Sequence, residues 1–386
     1  MTAHATPGLA ARLRRTLADR LARNGSLRDP AWRDAVEAVA RELFLGPAIA
    51  GATGYGDRWR VTRREEVTAD EWLELAYRDE TWVTQVNGVM VEDAHGIVSG
   101  VPTSSSTLPG LVVRMLEAAR ISDGDRVLEI GTGTGYSTAL MCHRLGSGAV
   151  TSVEYDPDVA GRARGALTAA GYAPTLVTGD GLAGYDGNAE YDRLIATCSV
   201  RYIPLPWLWQ VRDGGTITVP LSGWMYGSAF AHLTLADDGT AGGRFLEDDV
   251  YFMTARPHGP PPMPSPHLGL GTGRSSRIDP RVLDDPTGLF VGQLAAPSAM
   301  KLGGGDEVAL LDVATGSQAT TAPDPEGGWT VRQHGPLRLW DAVEDAVLIW
   351  REAGSPHQSA YGLTVTRDRQ YVWLGEPDGP SWSLPV

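Results

Sequence analysis

Arg126-Val127-Leu128-Glu129-Ile130-Gly131-Thr132-Gly133-Thr134-Gly135-Tyr136 is the stretch on which the reading of this chain turns. A short apolar run ends in glycines at every second position and passes into Ser137-Thr138-Ala139-Leu140-Met141, the pattern of a buried strand, a tight turn and the start of a helix. Glycine lets such a turn take unusual dihedrals and lets a ligand lie against bare backbone. The N–H groups at the start of the helix face the same place. A dinucleotide is the first ligand suggested, yet the strict G-x-G-x-x-G spacing fails because Tyr136 holds the third glycine's place. The next strand pattern, Ala149 to Glu154, ends in an acid 19 residues past Gly135, suited to holding both hydroxyls of a ribose. These features suit an adenosine-containing cofactor without a strong pyrophosphate signature.

Taken together, Glu129 to Tyr136, then Glu154, then Gly179-Asp180-Gly181 resemble the cofactor site of S-adenosylmethionine-dependent methyltransferases of the protein-L-isoaspartate O-methyltransferase family. The resemblance implies that Gly131, Gly133 and Gly135 admit the methionine portion and that Glu154 holds the ribose diol. It also implies that Glu129 and Tyr136 line the cofactor pocket, and that Asp180 with Gly181 lies by the adenine. A solvent-exposed Asp-Gly turn is the plain alternative for the last pair. In that family a hydroxyl residue two positions before a proline sits beside the transferred methyl and the acceptor carboxylate. The matching position is Thr107, followed by Pro109 and supported by Ser106. Serine is usual there, and the extra methyl of threonine tightens the pocket while its hydroxyl still donates.

The crowded hydroxyls of Pro102-Thr103-Ser104-Ser105-Ser106-Thr107-Leu108-Pro109 have a second reading, as the cap of a helix carrying Leu111, Val112, Met115 and Leu116. Arg41, in Val39 to Pro47, and Asp79, in Ala76 to Glu80, also fall in segments like the family's, and both suit packing or capping of the N-terminal region.

Helices are expected over 8–24, with Leu9, Leu13, Leu17 and Leu21 in register, and after Asp29-Pro30. Strands over 126–130, 149–154, 175–178, 192–197 and 215–220 alternate with helices over 135–145 and 157–170, the spacing of a parallel sheet with covered faces. Further strands are expected over 228–235 and 248–255. Pro257, Pro260, Pro261, Pro262, Pro264 and Pro266 mark a linker or an extended strap. The fold class is therefore α/β: a Rossmann-like methyltransferase core over 92–256, an N-terminal helical cap over 1–91, a proline-rich linker over 257–280, and a mixed or β-rich C-terminal domain over 281–386. The C-terminal tryptophans suit a core of their own, an inter-domain seam or a peptide groove.

A formal charge of -14 argues against nonspecific nucleic-acid binding. Two cysteines, Cys142 and Cys198, give neither a disulfide scaffold nor a metal knuckle. No apolar run reaches membrane-spanning length, and a reducing cytoplasm is the default expectation. The implied reaction is methyl transfer to a carboxylate, needing S-adenosylmethionine and no metal. Thr107 and the C-terminal extension favour, within the resemblance, members that methylate one aspartate of a modified, cyclised precursor peptide on the way to a succinimide. Repair of isoaspartyl proteins, a non-catalytic peptide binder that keeps the cofactor, and small-molecule O-methylation are the alternatives.

Overall fold

The computed structural model describes residues 5–386 except Tyr55, Asp249, Pro264 and Leu268. They form two compact units, Met1–Thr197 with Trp209–Thr216, and Cys198–Leu208 with Ile217–Val386.

In the first unit, α1 (Leu9–Arg23) and α2 (Pro30–Ala38) come first, and Asp29 caps α2 by accepting from the Ala31 N–H. The stretch expected to be a helical cap is mixed. It carries β1 (Ala48–Ala52), β2 (Arg58–Arg63), α3 (Ala69–Ala76), β3 (Trp82–Val86) and β4 (Val89–Met90). Arg58-Trp59-Arg60-Val61-Thr62-Arg63 alternates polar and apolar side chains with a period of two, which suits a half-buried strand and no helix. With β5 (Ile97–Ser99) the sheet order is β4-β3-β1-β2-β5, and β6 (Pro102–Ser106) also pairs with β3. Ala50, Val61, Val83, Val86 and Val91 form its apolar cluster.

After α4 (Pro109–Ala118) comes the expected alternation: β7 (Val127–Ile130), α5 (Tyr136–Leu145), β8 (Val150–Glu154), α6 (Pro157–Ala169), β9 (Thr175–Thr178) and β10 (Tyr191–Ala196). The strands lie in the order β10-β7-β8-β9, all parallel, with Ile195, Glu129, Ser152 and Leu176 in one row. Because β7 is flanked by β8 on one side and β10 on the other, strand order reverses beside it. In open parallel sheets, a crevice forms at that reversal, beyond the strand C-termini.

The chain then runs through α7 (Leu205–Gln210) and β11 (Val211–Ser222), whose residues from Ile217 onward belong to the second unit. There β12 (Ser228–Leu235) pairs antiparallel with β13 (Ala241–Phe245). The strand expected over 248–255 is absent among the described residues: Thr254 makes only an isolated bridge to Ser199, and Asp249 lies outside them. The rest comprises β14 (Thr272–Ser275), α8 (Pro286–Ala295), β15 (Ala299–Gly304), β16 (Glu307–Asp312), β17 (Gln318–Pro323), β18 (Trp329–His334), α9 (Leu339–Glu352), β19 (Tyr361–Val365), β20 (Gln370–Leu374) and β21 (Ser381–Ser383).

One antiparallel set runs β12-β13-β19-β20-β21 and another β14-β18-β17-β16-β15. The prolines do not mark a division between sheets, because β13 from before them pairs with β19 from after them, Ala241 opposite Val365. The segment is pinned as a strap: Gln318 accepts from the His267 N–H and donates to the Ser265 carbonyl. Pro264, counted in the expected linker, lies outside the described residues. Trp340, Trp350 and Trp373 are buried.

Candidate cofactor and acceptor site

Gly131, Gly133 and Gly135 all take positive φ, at 96°, 54° and 88°. A Cβ on Gly131 would stand 2.8 Å from Thr197 Oγ1, and one on Gly135 3.3 Å from Leu167, so these two glycines allow close packing. A Cβ on Gly133 would meet only the Ser105 carbonyl, at 3.6 Å. That glycine therefore leaves bare backbone facing the strand of hydroxyls.

Beneath the turn, Glu129 is fully buried, and Ser137, Thr138 and Ser152 all donate hydroxyls to its carboxylate. Burial pushes its pKa up, and the three hydroxyl bonds oppose that shift. Glu129 thus braces the turn from below instead of lining an open pocket. Tyr136 is also buried, edge-on to Phe44, with the Arg41 guanidinium 5.8 Å from its ring centre. Desolvation raises its phenol to about 12. It fastens the turn to the N-terminal segment.

At the rim, the Gly133 N–H donates to Glu154 Oε2 at 2.8 Å and the Asp156 N–H to Oε1 at 3.0 Å. The Gly179 N–H donates to the Glu154 carbonyl, which sets Asp180 next to the end of β8. Asp180 is exposed and accepts from the Leu182 N–H through Oδ1. Two residues with no sequence signal tie β3 to this rim. Gln85 Nε2 donates to Asp156 at 3.0 Å, and Gln85 Oε1 accepts from the Thr103 hydroxyl at 2.7 Å.

The hydroxyl cluster is a strand, β6, and none of its side chains caps α4. The cap comes from a distance: Asp79 accepts from the Gly110 N–H at 2.7 Å, and Thr81 from the Leu108 N–H. Arg41 is fully buried and donates to the carbonyls of Ala76, Arg78, Glu80, Ser106 and Thr107 and to the Ser106 hydroxyl. Burial lowers its pKa to about 10. Arg41 and Asp79 thus pack and cap, and in doing so they fix the backbone on either side of Thr107. Ser106 is buried under Arg41, whereas Thr107 is half-buried.

A nucleoside cofactor fits this set. Bare backbone at Gly133 gives room, Glu154 stands at the end of β8 where a ribose diol would meet it, and Asp180 presents an exposed carboxylate one strand further on. The Ser105 carbonyl faces Gly133, which sets β6 beside the glycine turn.

The family model described as Protein-L-isoaspartate(D-aspartate) O-methyltransferase (PCMT) matches residues 57–253. This chain belongs to that family. A protein-L-isoaspartate O-methyltransferase of Ignicoccus hospitalis is 42% identical over 115 residues, 29% of this chain and 54% of that protein. One of Hyperthermus butylicus is 31% identical over 218 residues, 54% of this chain and 74% of that protein. The chain thus spans about half the length of the Ignicoccus relative, and likewise 52% of one from Archaeoglobus fulgidus. A solved protein-L-isoaspartate O-methyltransferase shares the fold with a TM-score of 0.56 at 19% identity, covering 94% of this chain and 100% of that one. That cover includes most of this chain after residue 253.

Proposed function

We propose that the chain is an S-adenosylmethionine-dependent carboxyl O-methyltransferase acting on L-isoaspartyl residues of proteins or peptides. The observation that carries this reading is the Gly133 N–H to Glu154 bond at the strand-order reversal, with the Ser105 carbonyl against the same glycine. One crevice then serves both cofactor and acceptor. When bound, S-adenosylmethionine supplies a methyl group already activated by its sulfonium. Glu154 would accept from the ribose hydroxyls, Asp180 would accept from the adenine amine, and the glycine turn would let the methionine end lie close. Thr107 donates to the acceptor carboxylate and turns one of its oxygens toward the methyl, the alignment on which this displacement depends. A carboxylate is ionised near neutral pH, so no general base is required. Arg41, through the Thr107 carbonyl, keeps that hydroxyl in place.

A second acceptor, one aspartate of a cyclised precursor peptide, keeps one supporting feature: threonine at 107 where serine is usual. The C-terminal extension no longer separates the two, because its fold is shared with a solved member of the family. Incubation with an isoaspartyl peptide, its linear aspartyl counterpart and a cyclised precursor distinguishes the readings. A methyl ester on the isoaspartyl peptide is expected. Exclusive turnover of the cyclised precursor would favour the second acceptor, and cofactor binding with no transfer to any peptide would leave a binding module. Thr107→Ala is expected to lower turnover about 10- to 100-fold, the loss of one hydrogen bond to a charged group, with cofactor affinity unchanged.

A further inference from the structure

Within the first unit a cavity of about 310 Å³ begins where the candidate site ends. Gly133, Thr134 and Ser104 line it on the side of the glycine turn, while Thr107, Gly131 and Glu154 do not line it. Beyond that side the lining is apolar, with Phe44, Leu45, Ala48, Met90, Val159 and Ala166. Two of its lining hydroxyls bond each other, Thr84 Oγ1 donating to Ser104 Oγ at 3.1 Å. At the rim Arg162 and Glu92 are paired, so the charges there are matched. On the α6 side the wall is made of Gly165, Ala166 and Ala169, and a Cβ on Gly165 would meet nothing within 4 Å. A space of this size and character takes an apolar group and offers little to a charged one.

We infer that this cavity is a specificity pocket of the acceptor site, receiving an apolar side chain that lies two or three residues from the methylated one. The inference rests on the methyl-transfer reading and names what its peptide carries. Its spacing follows from β6 and the residue just past its end. Ser104 at the pocket and Thr107 at the acceptor carboxylate are three residues apart, roughly 10 Å at the rise of an extended chain. An extended peptide lying alongside covers that distance in three residues, or in two when a long side chain reaches down. Gly133 belongs to both places and Ser104 adjoins Ser105 in β6, so a peptide with its carboxylate at Thr107 has this apolar cavity within reach.

The test uses the full-length chain and isoaspartyl peptides that are glycine elsewhere and carry a single leucine, moved through the three positions on each side. For the wild type, kcat/KM is expected to rise about tenfold or more when leucine stands two or three residues away on one side, the discrimination an apolar pocket gives. Ala166→Trp, which fills the cavity, is expected to abolish that rise while leaving turnover of the all-glycine peptide and the affinity for S-adenosylhomocysteine unchanged. Ala169→Leu, on the exposed outer wall, is expected to reduce it and guards against a misfolded first variant. A flat positional profile, or a rise that survives both substitutions, overturns the pocket. So does weakened S-adenosylhomocysteine binding in Ala166→Trp, because the cavity would then belong to the cofactor. Absence of transfer to every peptide by the wild type would instead defeat the methyl-transfer reading on which the pocket depends.

Discussion

Acidic side chains are used in opposite ways in the two units. At the ends of β8 and β9, Glu154 accepts from the backbone amides of Gly133 and Asp156, and Asp180 from that of Leu182. In the second unit Glu344 is fully buried and accepts from the guanidiniums of Arg274 and Arg277, the Ser276 hydroxyl and the Arg277 N–H. Two cations and two further donors satisfy a carboxylate completely, and breaking such a set is costly. An acid held by backbone amides keeps its position, and Asp180 is exposed as well. On the proposed reading, the first region would be completed by a ligand. The second completes itself.

Truncation is the harshest trial of this contrast. Ending the chain at residue 260 removes β19, the partner of β13, together with Arg274, Arg277 and Glu344. The second unit is expected to lose its fold entirely, seen as protease sensitivity of 217–260 and lost near-ultraviolet dichroism. A protected 228–245 hairpin in the truncated chain would show that β13 needs no β19.

Next in size is Glu344→Ala, expected to cost about 3 kcal/mol of unfolding free energy because two guanidiniums lose their shared acceptor. Asp180→Ala is the matched control. Its stability should stay within about 0.5 kcal/mol of wild type, as for an exposed site, while S-adenosylhomocysteine affinity falls about tenfold. Equal stability losses at the two positions would erase the contrast between the units.

The last test is a pH dependence at Glu129. Its folded-state pKa lies above the ordinary glutamate value, chiefly through burial, so the folded chain holds that proton more tightly than the unfolded one. The stability this group contributes is full below the unfolded pKa, near 4.3, and is lost as pH rises through the raised one, by up to about 1.4 kcal/mol per pH unit. The unfolding free energy of wild type minus that of Glu129→Gln should therefore fall as pH rises above the ordinary glutamate pKa. A difference that grows with pH would mean that the three hydroxyls hold a carboxylate of lowered pKa.

How far the sequence could be read depended on whether the determining contacts were local. Strands 127–130 and 150–154 and the glycine turn are apolar runs ended by turn residues, and they stand within a residue of where the pattern puts them. Local hydroxyls misled at 102–106, which suggest a cap but form β6. Gln85 and Thr84 on the neighbouring strand absorb Thr103 and Ser104, and the cap of α4 arrives from Asp79, 31 residues away in sequence. Gln85 to Asp156 spans 71 residues and leaves no local trace. Ala241-Gly242-Gly243-Arg244-Phe245 has poor strand propensity and is extended because β12 and β19 flank it. A signal for it was present in Asp237-Asp238-Gly239-Thr240, a turn sequence that predicts a hairpin from 228–235 back onto 241–245. The apolar run 250–253 drew the expected strand away from that place.

Calorimetric titration of the folded, full-length chain with S-adenosylhomocysteine, alongside Glu154→Ala, tests the central claim most directly. One site per chain is expected, weakened roughly 10- to 100-fold by the substitution, as for loss of hydrogen bonds to a charged group. Absence of any binding to S-adenosylhomocysteine or S-adenosylmethionine, or an affinity indifferent to Glu154→Ala, would contradict the assignment of the glycine turn and Glu154 to a methyl-donor nucleoside.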